Sequence, residues 1–290
     1  MKKIAFIAHG PGTANALFPL IEPLSAKYDV HLFPFHPYAS KLWGADLCLI
    51  DEFNEIFLND FSLILTGTSS MHEVEKATPL LAKERHIPVV SFLDKWGDYP
   101  YRFQYEPDYI VTLDNQSKFD VELLGIDSSK VFPLGNPHFD RLKPYVGTYE
   151  AKKPYHLAFF SEPTEKSKEA LYYLLKAKDE HPRWIHHISL TPHPREDETW
   201  LRSYCKQESN VSFHMYHDSF SLLLSADVCV GVNTTLLHEA TIIGKPALFY
   251  ESYEQLCEEL RSFSLFEFLP RRYFFDATKK CLSFIENLLK

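Results

Sequence analysis

Short apolar runs separated by longer amphipathic stretches set the rhythm of this chain. KIAFIA, YDVHLF, ADLCLI, SLILTGT, IPVVSFL and DYIVTL follow one another through the first part, and YHLAFF, HHISL, NVSFHMY, DVCVGV and ALFY through the second. Runs of this length, rich in β-branched and aromatic residues, predict strands. Between them HGPGTANALFPLIEPL, MHEVEKATPLLAKERH, SFSLLLSA and LLHEATII read as helices. The closing ATKKCLSFIENLLK predicts an amphipathic helix. Strands alternating with helices predict an α/β chain with parallel, doubly wound sheets. Ligands in such folds bind outside the carboxyl ends of the strands. The turns at those ends are therefore where chemistry is to be sought.

The most informative turn lies in residues 226–250, ADVCVGVNTTLLHEATIIGKPALFY. It reads as strand, turn, helix, turn, strand, a βαβ crossover. Asn233, Thr234 and Thr235 are good N-cap types, and Gly244 stands where a helix C-cap belongs. A hydroxyl-rich helix N-terminus at a strand's carboxyl end suits phosphate, through backbone N–H groups and the helix dipole. Glu239, about one helical turn further on, is placed to accept hydrogen bonds from ribose hydroxyls. A ligand-free βαβ unit would share the same outline.

Two turns in the first half stand out. Gly10, Pro11 and Gly12 form a tight turn after the first strand, with Thr13 or Asn15 as the expected cap of the next helix. His9 at the strand's end is a candidate general base. The second turn, from Asp94 to Phe103, packs Asp94, Trp96, Asp98, Tyr99, Tyr101 and Arg102 into ten positions. Aromatics stack on sugar faces, carboxylates act as bases and Arg pairs with acidic groups. Gly67, Thr68, Ser69 and Ser70 end another strand.

In the second half, HHISL ends in Thr191-Pro192-His193-Pro194-Arg195. His193 and Arg195 offer cationic donors to phosphate on a turn that Pro194 stiffens. Thr164 is the expected cap of the helix after YHLAFF, and Asp218 or Ser219 of the helix SFSLLLSA.

These segments together resemble GT-B glycosyltransferases of bacterial surface-polysaccharide synthesis. The shared features are the Asn233-Thr234-Thr235 turn, Glu239-Ala240, Gly244-Lys245-Pro246, the Asp94-x-Trp96…Arg102-Phe103 loop and Gly135-Asn136-Pro137-His138-Phe139-Asp140. The His193-Pro194 pair resembles the His-Pro motif of sialyl-, Kdo- and glycerophosphotransferases. The resemblance implies two Rossmann-like domains facing a cleft. Residues 1–143 would form the acceptor domain, 144–154 a linker and 155–275 the nucleotide-binding domain. Residues 276–290 would be a helix returning to the first domain. It further implies a nucleotide-sugar donor of CMP or UDP type and a glycan or lipid-linked acceptor. Asp94, Asp98 or His9 would act as base. His193, Arg195, Asn233, Thr234, Thr235 and Glu239 would bind the nucleotide. Gly12, Thr13, Ser69, Trp96, Arg102, Asn136 and Glu162 would line the cleft. No Asp-x-Asp sequence occurs, so no cofactor or essential metal is expected. A sugar-nucleotide 2-epimerase or hydrolase, or a non-catalytic nucleotide-binding relative, would use the same fold. Epimerases favour a Ser-Gly-Gly turn and paired glutamates where this chain has Asn-Thr-Thr and Glu239-Ala240.

Composition narrows the field further. At 290 residues and 45% hydrophobic content the chain supports two domains with sizeable cores. A net charge of −9 with no basic run argues against nucleic acid as partner. Five scattered cysteines form no CxxC pair and no metal spacing, which suits a reduced cytosol. KIAFIA, cut short by Gly10, reads as a strand rather than a signal peptide, and no run reaches the ~20 apolar residues of a membrane span. The aromatic stretch SFSLFEFLPRRYFF fits an interdomain core, or peripheral contact with the inner membrane face.

Overall fold

The computed structural model describes residues 1–68, 73–263, 267, 268, 270, 271, 273 and 275–290. The chain divides into two compact units, Met1–Arg141 with Tyr273–Lys290, and Leu142–Arg272.

The first unit is built on β1 (Lys3–Ala8), β2 (Asp29–Pro34), β3 (Leu63–Gly67), β4 (Val89–Phe92), β5 (Tyr109–Val111) and β6 (Val131–Phe132). They form one sheet in the order β2-β1-β3-β4-β5-β6, and every pair is parallel. Helices α1 (Pro11–Ser25), α2 (Pro37–Trp43), α3 (Phe53–Ile56), α4 (Glu73–Glu84) and α5 (Asn115–Glu122) connect the strands. One face carries Ile4, Phe6, Leu63 and Leu65 against Leu17, Leu20 and Leu24 of α1; the other carries Ala5, Ile7 and Ile64 against Phe53, Phe57 and Phe61. That alternation is the period-2 pattern of a sheet buried on both sides.

ADLCLI departs from the strand predicted for it. Residues 45–49 are irregular, Ile50–Glu52 form a 3-10 turn, and Leu49 and Ile50 are 59% and 55% exposed. The aromatic group around Phe53 and Phe57 already covers the sheet there, so packing overrides local propensity.

The second unit holds β7 (Tyr149–Glu150), β8 (Tyr155–Phe160), β9 (Ile185–Thr191), β10 (Val211–Phe213), β11 (Val228–Gly231), β12 (Ala247–Phe249) and β13 (Glu267–Phe268). Five of them form a parallel sheet in the order β10-β9-β8-β11-β12. Helices α6 (Glu165–Glu180), α7 (Thr199–Gln207), α8 (Ser219–Ser225), α9 (Thr235–Ile243) and α10 (Tyr253–Ser262) join them. Within residues 144–154, expected as a linker, Tyr149–Glu150 pairs antiparallel with β13, and the Gly147 N–H donates to Ile243 O at 3.0 Å. Gly244 ends α9 at φ 90°, the left-handed C-cap that favours glycine.

The last helix, α11 (Ala277–Leu288), belongs to the first unit, where Cys281, Ile285 and Leu289 join the core of α1. Asp140 starts it by accepting the N–H groups of Asp276, Ala277 and Thr278 at 2.8–3.0 Å. A carboxylate at a helix N-terminus satisfies orphan donors and meets the positive end of the dipole. The aromatic stretch before α11 lies partly outside the described residues.

One face of the second sheet is apolar, with Leu157, Phe159, Ile188, Leu190, Val228 and Val230 against Leu171, Leu174, Leu256 and Leu260. The other carries a histidine–serine network. His156 Nε2 bonds to Ser189 Oγ at 2.9 Å, and His187 Nε2 and His214 Nε2 to Ser212 Oγ at 2.8 and 2.9 Å. Burial lowers the pKa of His156, helped by His187, His186 and His214 and opposed by Asp227; burial likewise lowers that of His187, helped by His186 and His214. Unfolded histidines take up protons more readily than these two. Stability is therefore full above the ordinary value of ~6.5 and is lost as pH falls below it. We expect the urea midpoint to drop between pH 7.5 and 5.5, and the drop to shrink in the His156→Gln, His187→Gln double variant. An equal drop in that variant would place the acid sensitivity elsewhere.

Candidate functional site

In a doubly wound sheet the crevice opens where the strand order reverses. In the second unit that point lies between β8 and β11, and the residues ending both strands meet there. Asn233 N–H donates to Glu162 Oε2 at 2.8 Å. A Cβ on Gly231 would lie 3.0 Å from Phe160 O, so glycine lets the two strand ends approach. Asn233 leads into α9, whose N-cap is Thr234 in extended conformation, at φ −73° and ψ 148°. Its side chain makes no cap bond, whereas Asp114, Thr164 and Ser252 cap α5, α6 and α10. Thr234, one of the residues expected to cap α9, thus makes no side-chain cap bond, and the Leu237 N–H turns back to Thr234 O at 3.1 Å. Thr235 is the first helical residue. Glu239, expected to face open crevice, is 2% exposed, and His238 beside it is 8% exposed with Nε2 3.4 Å from Asn233 Oδ1.

The loop after β9 lies against the same strand ends. His193 N–H donates to Glu196 Oε2 at 3.1 Å, and Arg195 N–H donates to His193 Nδ1 at 3.1 Å. Ser161, which ends β8, donates its hydroxyl to Glu196 Oε1 at 2.8 Å, and Trp200 Nε1–H donates to the same oxygen at 3.0 Å. Burial holds the Glu196 carboxyl above its usual range, against the pull of these donors. Glu196 was missed in the sequence because Glu196-Asp197-Glu198 reads as a solvated charge run. In the fold it ties His193 to Ser161. His193, Glu162 and the Asn233-Thr234-Thr235 turn are thus all at the carboxyl ends of three adjacent strands, β9, β8 and β11.

In the first unit the order reverses between β1 and β3, and the crevice there is filled by a side chain. Glu75 of α4, 2% exposed, accepts from His9 N–H and Gly10 N–H on Oε1 at 2.9 and 2.8 Å, and from Thr13 Oγ on Oε2 at 2.9 Å. Gly10, not Thr13 or Asn15, is the N-cap of α1, and Pro11 opens the helix. The protein's own carboxylate therefore sits where a ligand's anion would. Packing is close: a Cβ on Gly67 would lie 1.8 Å from Thr13 Oγ1, and one on Gly12 1.9 Å from Asp94 Oδ2. Nothing in the local sequence distinguishes Glu75 from the exposed acids of an amphipathic helix.

The Asp94–Phe103 loop is largely self-contained. Arg102, with 3% of its side chain exposed, pairs with Asp94 at 2.7 Å and donates to Thr68 O, Thr68 Oγ1 and Gly97 O. Burial alone would raise the Asp94 pKa, but the charge and hydrogen bond of Arg102, with Lys95, hold it below the usual carboxylate value. A carboxylate so stabilised is a weak base, which argues against the role expected of Asp94. Asp98 is more exposed, 3.4 Å from Lys95, at a left-handed φ of 59°. Trp96, expected to offer a face to a sugar, is 8% exposed, stacks on Phe139 at 5.9 Å and donates to Asp114 Oδ2. Asn136, 2% exposed, donates from Nδ2 to Asp94 O, and its backbone N–H donates to Tyr273 Oη at 2.6 Å, so it is an internal tie. His9 is half-buried with its ring 6.2 Å from that of His36. Ser69 lies outside the described residues. Among the described residues no helix is long and apolar enough to cross a membrane, and no His, Cys, Asp or Glu group could hold a metal ion.

The chain matches no protein-family model, and no curated protein matches it in sequence. Solved structures do match it in fold. UDP-GlcNAc 2-epimerase from Neisseria meningitidis, bound to UDP-GlcNAc, superposes with a TM-score of 0.74 at 14% identity, covering 100% of both chains. S. aureus MnaA with UDP gives 0.77 at 13%, covering 100% of this chain and 97% of that one. Anabaena Alr3699/HepE in complex with UDP-glucose gives 0.59 at 13%, covering 99% and 93%. At these identities the likeness establishes the fold: α/β, with two parallel, Rossmann-like sheets, as the sequence predicted.

Proposed function

We propose that this protein binds a UDP-type sugar nucleotide through its second unit and acts on it as a 2-epimerase or hydrolase. The observation that carries this reading is the match, over all of this chain and at least 96% of the other, to UDP-GlcNAc 2-epimerases. The site chemistry agrees with it. The first turn of α9 supplies amides and dipole to a diphosphate. His193 adds a hydrogen-bond donor from the neighbouring loop, and Glu162 holds the Asn233 amide in place. Stabilising the departing UDP would lower the barrier to breaking the sugar–phosphate bond, a step that hydrolysis and elimination share. This reading takes precedence over glycosyl transfer, for which Asp94, Asp98 or His9 would serve as base, because the matched structures are epimerases.

Two measurements test it. UDP and UDP-GlcNAc should raise the melting temperature, since a ligand of the native state stabilises by mass action, and CMP should do so less. Inverting C2 requires breaking its C–H bond. Incubation of UDP-GlcNAc in D2O should therefore give deuterium at C2, or free UDP if water captures the sugar. No shift with any nucleotide, together with unchanged sugar, would sink the proposal. His193→Ala should weaken UDP binding by about tenfold, the loss of one hydrogen bond to a charged group; calorimetry on the folded variant decides.

A further inference from the structure

His193 offers cationic binding only if its ring carries two protons, and the contact at its Nδ1 opposes that. Nδ1 accepts the Arg195 N–H at 3.1 Å. A nitrogen that accepts has no hydrogen, so the neutral ring must carry its proton on Nε2. The same turn occurs at His36-Pro37-Tyr38, where His36 Nδ1 accepts the Tyr38 N–H at 3.1 Å, and at Asn136-Pro137-His138, with Asn136 Oδ1 at 3.0 Å. In each case proline supplies no N–H, and the preceding side chain takes the next one. The turn alone is thus a local habit of this chain.

What singles out the third copy is Glu196. Its Oε2 accepts the His193 backbone N–H, while Oε1 is held by Ser161 Oγ and Trp200 Nε1, and its own N–H donates to His193 O at 2.9 Å. Three donors converge on two oxygens, an arrangement only a carboxylate satisfies fully. From these contacts we infer that Glu196 is a positioning residue that holds His193 as a neutral Nε2–H donor, aimed by the β9 loop. Its use toward a diphosphate rests on the function proposed above; its tautomer and its dependence on Glu196 do not.

Glu196→Gln tests the point sharply. A glutamine in place of Glu196 must turn its NH2 toward either His193 N–H or Trp200 Nε1–H, so one donor always faces another. Trp200→Phe in the same chain removes the competing donor. The glutamine oxygen can then accept from His193 while its NH2 donates to Ser161 Oγ. The experiment is a long-range 1H–15N spectrum of the histidine rings in the ligand-free protein, with His193 assigned from its loss in His193→Gln. Wild type should show Nδ1 as the bare nitrogen and Nε2 as the protonated one. In Glu196→Gln the His193 ring signals should shift as the β9 loop loses its anchor, and UDP affinity should fall by about tenfold. The Glu196→Gln, Trp200→Phe double variant should recover both. An Nδ1–H or doubly protonated ring at pH 7 overturns the assignment, and so do wild-type ring signals in Glu196→Gln. Absence of UDP binding in wild type would count against the proposed function, while the ring signals still decide this inference.

Discussion

Glu75→Ala should lower the stability of the protein by roughly 3–5 kcal/mol, while Glu75→Gln should stay within about 1 kcal/mol of wild type. Alanine leaves His9 N–H, Gly10 N–H and the Thr13 hydroxyl facing an apolar gap in a site 2% exposed. Each buried donor left unsatisfied costs about 1–3 kcal/mol. Glutamine keeps one oxygen for the two amides, and its NH2 can donate to Thr13 Oγ, because a hydroxyl both donates and accepts. It also removes the cost of burying a charge. Burial raises the Glu75 pKa, against the pull of the Gly10, His9 and Thr13 donors. The folded state then binds its proton at higher pH than the unfolded chain does. Wild type should therefore gain on Glu75→Gln as pH falls from the raised value toward the ordinary 4.5. Urea midpoints of the three proteins across that range are the check. Equal losses for alanine and glutamine would mean that volume, not hydrogen bonding, is what Glu75 provides.

Asp94→Ala should cost about 3–5 kcal/mol, because it strands the Arg102 guanidinium without its anion. The carbonyls of Thr68 and Gly97 remain as acceptors but carry no balancing charge. Arg102→Ala should be costly for the complementary reason. The double variant should lose less than the sum by about 1–3 kcal/mol, the signature of residues in direct contact. With a lowered folded pKa, Asp94 contributes its stability above the ordinary 3.8 and loses it only as pH falls through the lower folded value. UDP affinity, which we assign to the second unit, should survive Asp94→Asn within a few-fold. Additive losses would show that the pair is not coupled. A fully stable but inactive Asp94→Asn would return Asp94 to the role of base.

These two cases show where sequence reading succeeded and stopped. In the sequence Asp94 read as a candidate base and Arg102 as a cleft residue. Only the fold showed that they satisfy one another. Trp96 read as a platform for a sugar, yet Phe139, from a distant segment, stacks on it. Glu75 and Glu196 were not legible at all. Both look like surface acids in helical or charged stretches; the donors on Glu75 lie 62–66 positions away, and Ser161, which completes the set on Glu196, lies 35 away.

The sequence by itself determined the periodicities. Strand-length apolar runs alternating with helical stretches already implied parallel, doubly wound sheets, because a helical crossover can only return a strand in the same direction. It also determined the local devices: the Gly244 stop, the Thr164 cap and the His-Pro turn, each set by residues within four positions of one another. The tertiary structure decided which turns are filled by a distant side chain. The His9 and Gly10 amides just before α1 are taken by Glu75, whereas the Thr234 side chain at the N-cap of α9 makes no cap bond. It decided that ADLCLI is not a strand, since Phe53, Phe57 and Phe61 already occupy the sheet face. The reason is common to all of these. Propensity and turn chemistry act over a few residues, but burial and hydrogen-bond satisfaction are settled by whichever distant groups the topology brings alongside.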